Sequence, residues 1–220
     1  MYLTRPSLLV RKIYSKAVWK INTSEKKIFL TFDDGPAPEA TPWVLNTLKK
    51  YNAKATFFCV GDNVKKNPDI YDRIISEGYL TGNHTYNHLR GWTTSTSTYI
   101  ENVEKCSALV SSKLFRPPYG KLSYSQFKIL HSKFSIIMWD VLSADFDKNL
   151  SKEKCLKKTI QNTREGSIVL FHDSLKASEN LYYTLPKYLQ HFSEQGYVFE
   201  SLDVLTRHSE RSEESFIPQK

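Results

Sequence analysis

The run Thr31-Phe32-Asp33-Asp34-Gly35-Pro36 ends an apolar stretch with two adjacent carboxylates and a glycine–proline break. Ile28 to Phe32 is short, apolar and rich in β-formers, so it reads as a buried strand. Side chains alternate along a strand and swing apart at its end, so Asp33 and Asp34 can take different tasks. One can ligate a metal while the other works as a base. A plain turn is the competing reading, because Asp-Gly and Gly-Pro are turn dipeptides whose aspartates commonly satisfy backbone groups.

Outward from this strand the chain alternates. Strands are expected at Ala55–Val60, Tyr79–His84, Leu114–Arg116, Ser135–Trp139, Ser167–Phe171 and Tyr197–Phe199. Helices are expected at Glu39–Tyr51, Pro68–Glu77, Thr96–Ser112, Ser123–Ser132, Lys152–Thr163 and Leu181–Glu194. Continuously apolar strands such as Ile168-Val169-Leu170-Phe171 are expected when both sheet faces are covered. Repeated βα units imply an α/β fold with a parallel sheet, closed as a barrel or open and doubly wound.

The reactive side chains gather just after the strands. Asp33 and Asp34 follow the first, and His84-Thr85-Tyr86-Asn87-His88 the third. Arg116-Pro117-Pro118-Tyr119-Gly120 follows the fourth, Trp139-Asp140 running on to Asp145 the fifth, and His172-Asp173 the sixth. Parallel βα folds build active sites at that end of the sheet. If the segment coils into a helical turn, the spacing of His84 and His88 puts both imidazoles on one face, and neutral imidazole suits Zn, Fe, Ni or Co. With a carboxylate from another strand end they form a His₂-Asp set that leaves coordination positions open. His172 at the rim is suited to general acid work. Arg116 is a guanidinium that can be fixed against a carboxylate, and the prolines stiffen the loop that offers the Tyr119 and Gly120 backbone N–H groups to an oxyanion. Asp145 can orient His172 or pair with Arg116.

At 220 residues with 40% hydrophobic and 25% charged side chains, the composition is globular. Residues 1–27 hold seven Lys and Arg against one Glu, so most of the net charge of +8 lies in an N-terminal arm. The body carries no basic surface suited to nucleic acid. In the arm, Leu9, Ile13, Ala17 and Val10, Tyr14, Val18 recur at helical spacing. That pattern fits a helix capping one end of the domain; a basic helix on an anionic membrane surface is the alternative, weak as an anchor. The longest apolar run of the arm falls short of a signal peptide, so the expectation is a cytoplasmic protein, membrane-peripheral if the arm binds lipid. Cys59, Cys106 and Cys155 are far apart and odd in number, and read as thiols rather than a disulfide framework. Residues 207–220 read as a disordered tail.

Taken together, the five segments resemble the polysaccharide deacetylase family (carbohydrate esterase family 4), which includes nodulation-type chitooligosaccharide and peptidoglycan N-acetylglucosamine deacetylases. The resemblance covers residues 28–206, with all five family motifs in order, and marks this stretch as the catalytic domain. It implies a single-domain, TIM-like, distorted (β/α)7 barrel. The implied activity is metal-dependent removal of acetyl groups from N-acetylated amino sugars of an acetylated glycan, releasing acetate; the chain is separately expected to be a monomer. It implies Asp34, His84 and His88 as ligands of one divalent metal, Zn²⁺ first, with Co²⁺ or Ni²⁺ as substitutes. Asp33 would be the general base held by Arg116, Tyr119 the oxyanion donor through its backbone N–H, and His172 the general acid supported by Asp145. Leu170 and Phe146 would line the acetyl pocket, with Pro118 and Trp139 beside the substrate. The family's fourth motif usually ends in Asp-Trp, whereas this chain has Asp145-Phe146, which keeps an apolar wall and loses the indole N–H. Three other readings remain: an O-acetyl esterase of acetyl-xylan type, a non-hydrolytic iron site, and a catalytically silent glycan-binding module using Trp92, Trp139 and Tyr86 as sugar platforms.

Overall fold

The computed structural model describes residues 8–203 and 205; residues 1–7 of the arm and the expected tail at 207–220 lie outside it. Eight strands are numbered in chain order: β1 (Lys27–Asp33), β2 (Thr56–Cys59), β3 (Leu80–Asn83), β4 (Leu114–Phe115), β5 (Ser135–Ile136), β6 (Val141–Leu142), β7 (Ile168–His172) and β8 (Val198–Glu200). The helices are α1 (Leu8–Ile13), α2 (Ala40–Lys50), α3 (Gly61–Lys66), α4 (Pro68–Ser76), α5 (Thr96–Ser107), α6 (Tyr124–His131), α7 (Lys152–Asn162) and α8 (Ser178–Glu194).

The strands run β5-β4-β3-β2-β1-β7-β6, with β8 beside the start of β1, and every ladder between them is parallel. The sheet curls with helices against it, the distorted (β/α)7 barrel expected from the motifs. Strand β1 lies at its centre and is buried from Ile28 onward, which is why its sequence does not alternate. Phe32 stacks on Phe57 at 5.1 Å and on Phe171 at 6.0 Å, joining β1, β2 and β7 through one aromatic layer. Ser95 and Ser123 cap α5 and α6, the latter through a capping box with Gln126.

Three features depart from the periodicity. The apolar run after Ser135 is not one strand. The ladder lapses between Ile136 and Val141, and the separate pair β6 reaches β7 instead. Helix α3 shows no apolar stripe, because Val64 is the one large apolar residue it buries. In the arm, α1 ends at Ile13 although the helical spacing continues on paper. The chain then turns through residues 14–17 and bridges Val18 to Ile137 in parallel and Lys20 to Ser167 in antiparallel fashion. The unpaired backbone of β5 and of the approach to β7 competes for this segment and wins over helix propensity. Tyr14, Ala17 and Trp19 are buried there with Phe115, Phe127 and Ile136.

Candidate active site

Strand register brings the reactive groups together. Asp33 pairs with His172 across β1 and β7, and Asn83 pairs with Phe115 across β3 and β4. The residues that follow, His84 and Arg116, therefore emerge side by side.

Arg116 is fully buried, and four of its five guanidinium N–H donors are used. It donates through Nη1 to Asp33 Oδ1 and to Thr31 Oγ1, both at 2.8 Å, through Nη2 to the Met138 carbonyl at 2.9 Å, and through Nε to the Ile137 carbonyl at 3.3 Å. Its plane lies 4.2 Å from the Phe58 ring. A rigid fork suits this position, where lysine would offer a point charge.

Asp34, His84 and His88 place one donor atom each within 4.8 Å of one another. Asp34 Oδ1 stands 3.2 Å from His88 Nε2 and 3.7 Å from His84 Nε2. Tetrahedral ligands at 2.0–2.1 Å from a zinc ion are roughly 3.3 Å apart, close to these separations. His84 Nδ1 is 2.8 Å from the Arg116 carbonyl. A carbonyl can only accept, so that nitrogen carries the proton and Nε2 presents its lone pair to Asp34. Burial lowers the His84 pKa to about 4, which keeps the ring neutral. Burial opposes the charge of Asp34, but the hydrogen bond from His88 outweighs it with the nearby imidazoles and holds the carboxyl below its usual range. The donor set thus fits a divalent ion.

His172 and Asp145 form the second charged pair. Asp145 accepts the His172 backbone N–H at 2.8 Å and faces the ring Nδ1 at 2.7 Å. Burial pulls the imidazole pKa down, and the adjacent carboxylate overrides it, raising the pKa to about 9. Phe146 stands edge-on to this ring at 5.0 Å. Leu170 packs in one apolar cluster with Phe146 and Trp139 beside it. Pro118 is buried in the loop after Arg116, and the Trp139 ring packs against Gly120 of the same loop. Tyr119 is turned outward, its ring 4.8 Å from His88, and its backbone N–H donates to no acceptor among the described residues. Tyr86 is buried against Gly61, so it cannot serve as a sugar platform. Asp140 lies away from this cluster, accepting from Arg11 of α1 at 2.6 Å and from Ser167 at 2.7 Å.

Asp34, Thr85, His88, Tyr119 and Ala144 all adopt positive φ, between 54° and 81°. Only one other non-glycine described residue, Asn52, does so. Such backbone costs about 1–3 kcal/mol per residue and clusters where geometry is held for function. Several of its supports carry no motif. Asn63 Nδ2 donates to the Asp34 carbonyl at 2.7 Å, and Asn180 Nδ2 to the Asp145 and Asp147 carbonyls at 3.2 Å. Asp173 accepts the Gly35 N–H at 3.1 Å and the Thr41 hydroxyl at 2.5 Å, and burial raises its pKa to about 8.

Residues 20–132 match the family described as polysaccharide deacetylase. This chain belongs to the polysaccharide deacetylase family. It is 34% identical over 198 residues to a peptidoglycan-N-acetylglucosamine deacetylase of Bacillus cereus, covering 86% of this chain and 92% of that one. The crystal structure of a peptidoglycan N-acetylglucosamine deacetylase bound to an N-hydroxybenzamide compound superposes with a TM-score of 0.77 at 32% identity, covering 85% of this chain and 91% of the other. A family pseudoenzyme from Bacillus anthracis superposes with a TM-score of 0.74 at 26% identity, covering 86% and 68%. The fold is therefore shared by active and inactive members, and activity has to be argued from the site.

Proposed function

We propose that this chain is a metal-dependent deacetylase that removes acetyl groups from the N-acetylated amino sugars of peptidoglycan and releases acetate. The observation that carries the reading is the presence of two separate charged pairs, Asp33–Arg116 and His172–Asp145, around one Asp34–His84–His88 donor set. A divalent ion held by those three residues would supply Lewis-acid polarisation and a more acidic water.

The chain's own groups supply the rest. Asp33, held by Arg116 at 2.8 Å, takes the proton from the attacking water. The free Tyr119 N–H donates to the oxygen that gains charge as the acetamide carbonyl becomes tetrahedral. His172, protonated against Asp145, gives its proton to the departing amine. Leu170 and Phe146 wall the space for the acetyl methyl, and Pro118 and Trp139 fix the loop that carries Tyr119.

The test is acetate release from peptidoglycan glycan strands, chitooligosaccharides and acetylated xylan, with Zn²⁺, Co²⁺ or Ni²⁺ supplied. Release from the strands, abolished by chelation, is the expected result. No release from any of the three with metal bound overturns the reading. Asp34→Ala should lose zinc in a calorimetric titration, whereas Asp33→Asn should keep zinc and lose turnover.

A further inference from the structure

Two histidines of the site each carry an aromatic ring, and each ring carries a cation. On one side His88 contacts the Tyr119 ring at 4.8 Å, and the Arg90 guanidinium lies 4.7 Å from that ring. On the other, His172 contacts the Phe146 ring at 5.0 Å, and Lys176 Nζ lies 5.5 Å from it. Arg90 and Lys176 are exposed, and neither has a carboxylate within ion-pair distance among the described residues.

Both cations have company. Next to the Tyr119 loop, Lys121 sits 4.7 Å from the exposed Trp92 ring, whose Nε1 is anchored on the Leu122 carbonyl at 2.8 Å. Next to Asp145 a cavity of about 300 Å³ opens, lined also by Lys148, Lys152, Lys176 and the first turn of α8. The Asp145 carboxylate is committed to His172, which leaves Glu179 as the only other acidic side chain lining it. Neither Lys121, Lys148 nor Lys152 has an ion-pair partner among the described residues. Arg90 and Lys176 are each set off from a site histidine by one aromatic ring, so they flank the site instead of lining it.

Resting on the deacetylase reading above, we infer that the site is flanked on both sides by cationic subsites for the carboxylates of an anionic glycan strand. A neutral glycan gains nothing from these charges. A peptidoglycan strand carries carboxylates on its stem peptides, and on its lactyl ethers only where the peptide is absent, since the peptide takes up the lactyl carboxyl as an amide. Either would meet the cations that Arg90, Lys121 and Lys176 hold over aromatic rings. Complementary charge of this kind sets partner choice and weakens with added salt.

The experiment measures binding of end-labelled glycans to the zinc-loaded full chain by stopped-flow anisotropy, before turnover, with acetate release followed separately. The ligands are strands with stem peptides, strands stripped of them, and chitohexaose. Strands should bind more tightly than chitohexaose at low salt, the gap closing near 0.5 M salt. Arg90→Ala with Lys121→Ala, and Lys148→Ala with Lys176→Ala, should each weaken strand binding about fivefold and leave chitohexaose within about twofold. Stripping exchanges the stem-peptide carboxylates for lactyl carboxylates freed from their amides, so retention of the effect on stripped strands shows that a carboxylate on the sugar itself suffices, and its loss there assigns the stem peptides. Equal losses on strands and chitohexaose, or no loss on either, overturn the inference. Charge-dependent strand binding without acetate release refutes the deacetylase reading alone and supports the cationic subsites.

Discussion

Replacing Asp145 with asparagine should remove the proton from His172 at neutral pH. The carboxylate meets His172 twice, at the backbone N–H and at ring Nδ1. Burial alone would place the imidazole below its ordinary 6.5, so the rise to about 9 is due chiefly to Asp145, with smaller help from Asp34 and Asp33. The interval between those values corresponds to roughly 3 kcal/mol in favour of the imidazolium. Because the folded-state pKa is raised, this stability is present in full below pH 6.5 and is lost as pH rises through 9. In metal-free protein, NMR titration of the His172 ring should give a midpoint near 9 in the wild type and at or below 6.5 in Asp145→Asn. Urea unfolding should separate the two proteins by roughly 3 kcal/mol at pH 6 and much less above pH 10. Turnover at neutral pH should fall with the proton, since a neutral imidazole has none to give. An unchanged His172 midpoint, or a stability gap that stays flat from pH 6 to 10, would refute the reasoning.

Arg116→Met should cost about 3–5 kcal/mol in urea unfolding, because it leaves the Asp33 charge buried without a partner; a loss below 1 kcal/mol would mean that Asp33 finds another donor. Gly35→Ala would drive its new methyl into the Asp173 carboxylate, displacing the turn next to Asp34, and calorimetry should show zinc affinity lower by about 10-fold or more. Trp19→Ala should destabilise by about 3–5 kcal/mol, since the indole is packed among barrel residues and donates to the Tyr14 carbonyl. Unfolding unaffected by that change would show the arm to be a detachable appendage.

The strand ends were legible because a buried parallel strand is an uninterrupted apolar run, so a charged residue at its edge stands out. That contrast marks Asp33, Arg116 and His172 in the sequence, and the geometry joins the first two at 2.8 Å. What supports them was not legible. Thr31 reads as one more β-former until the guanidinium is found on its hydroxyl, and Asn63 and Asn180 act on carbonyls 29 and more residues away. Such side-chain-to-backbone bonds leave no local pattern, because only the folded register decides which carbonyl is near. The arm misled for the opposite reason. Its helical spacing is real, but short helices are marginal in water, and an unpaired strand edge offers more hydrogen bonds than a further turn would.

The bridges from Val18 to Ile137 and from Lys20 to Ser167 bear on how the protein is made. The arm leaves the ribosome early, yet its partners follow by well over a hundred residues. At synthesis rates of about 5–20 residues per second, Val18 and Trp19 wait from roughly six to thirty seconds before the edge they cover exists. During that interval their apolar side chains are open to water and to chaperones. The seam of the barrel is thus sealed by a segment made before the strands it covers, and its closure has to wait until Ile137 and Ser167 are in place. Slow or paused translation between Trp19 and Ser167 should lengthen the window in which this chain aggregates.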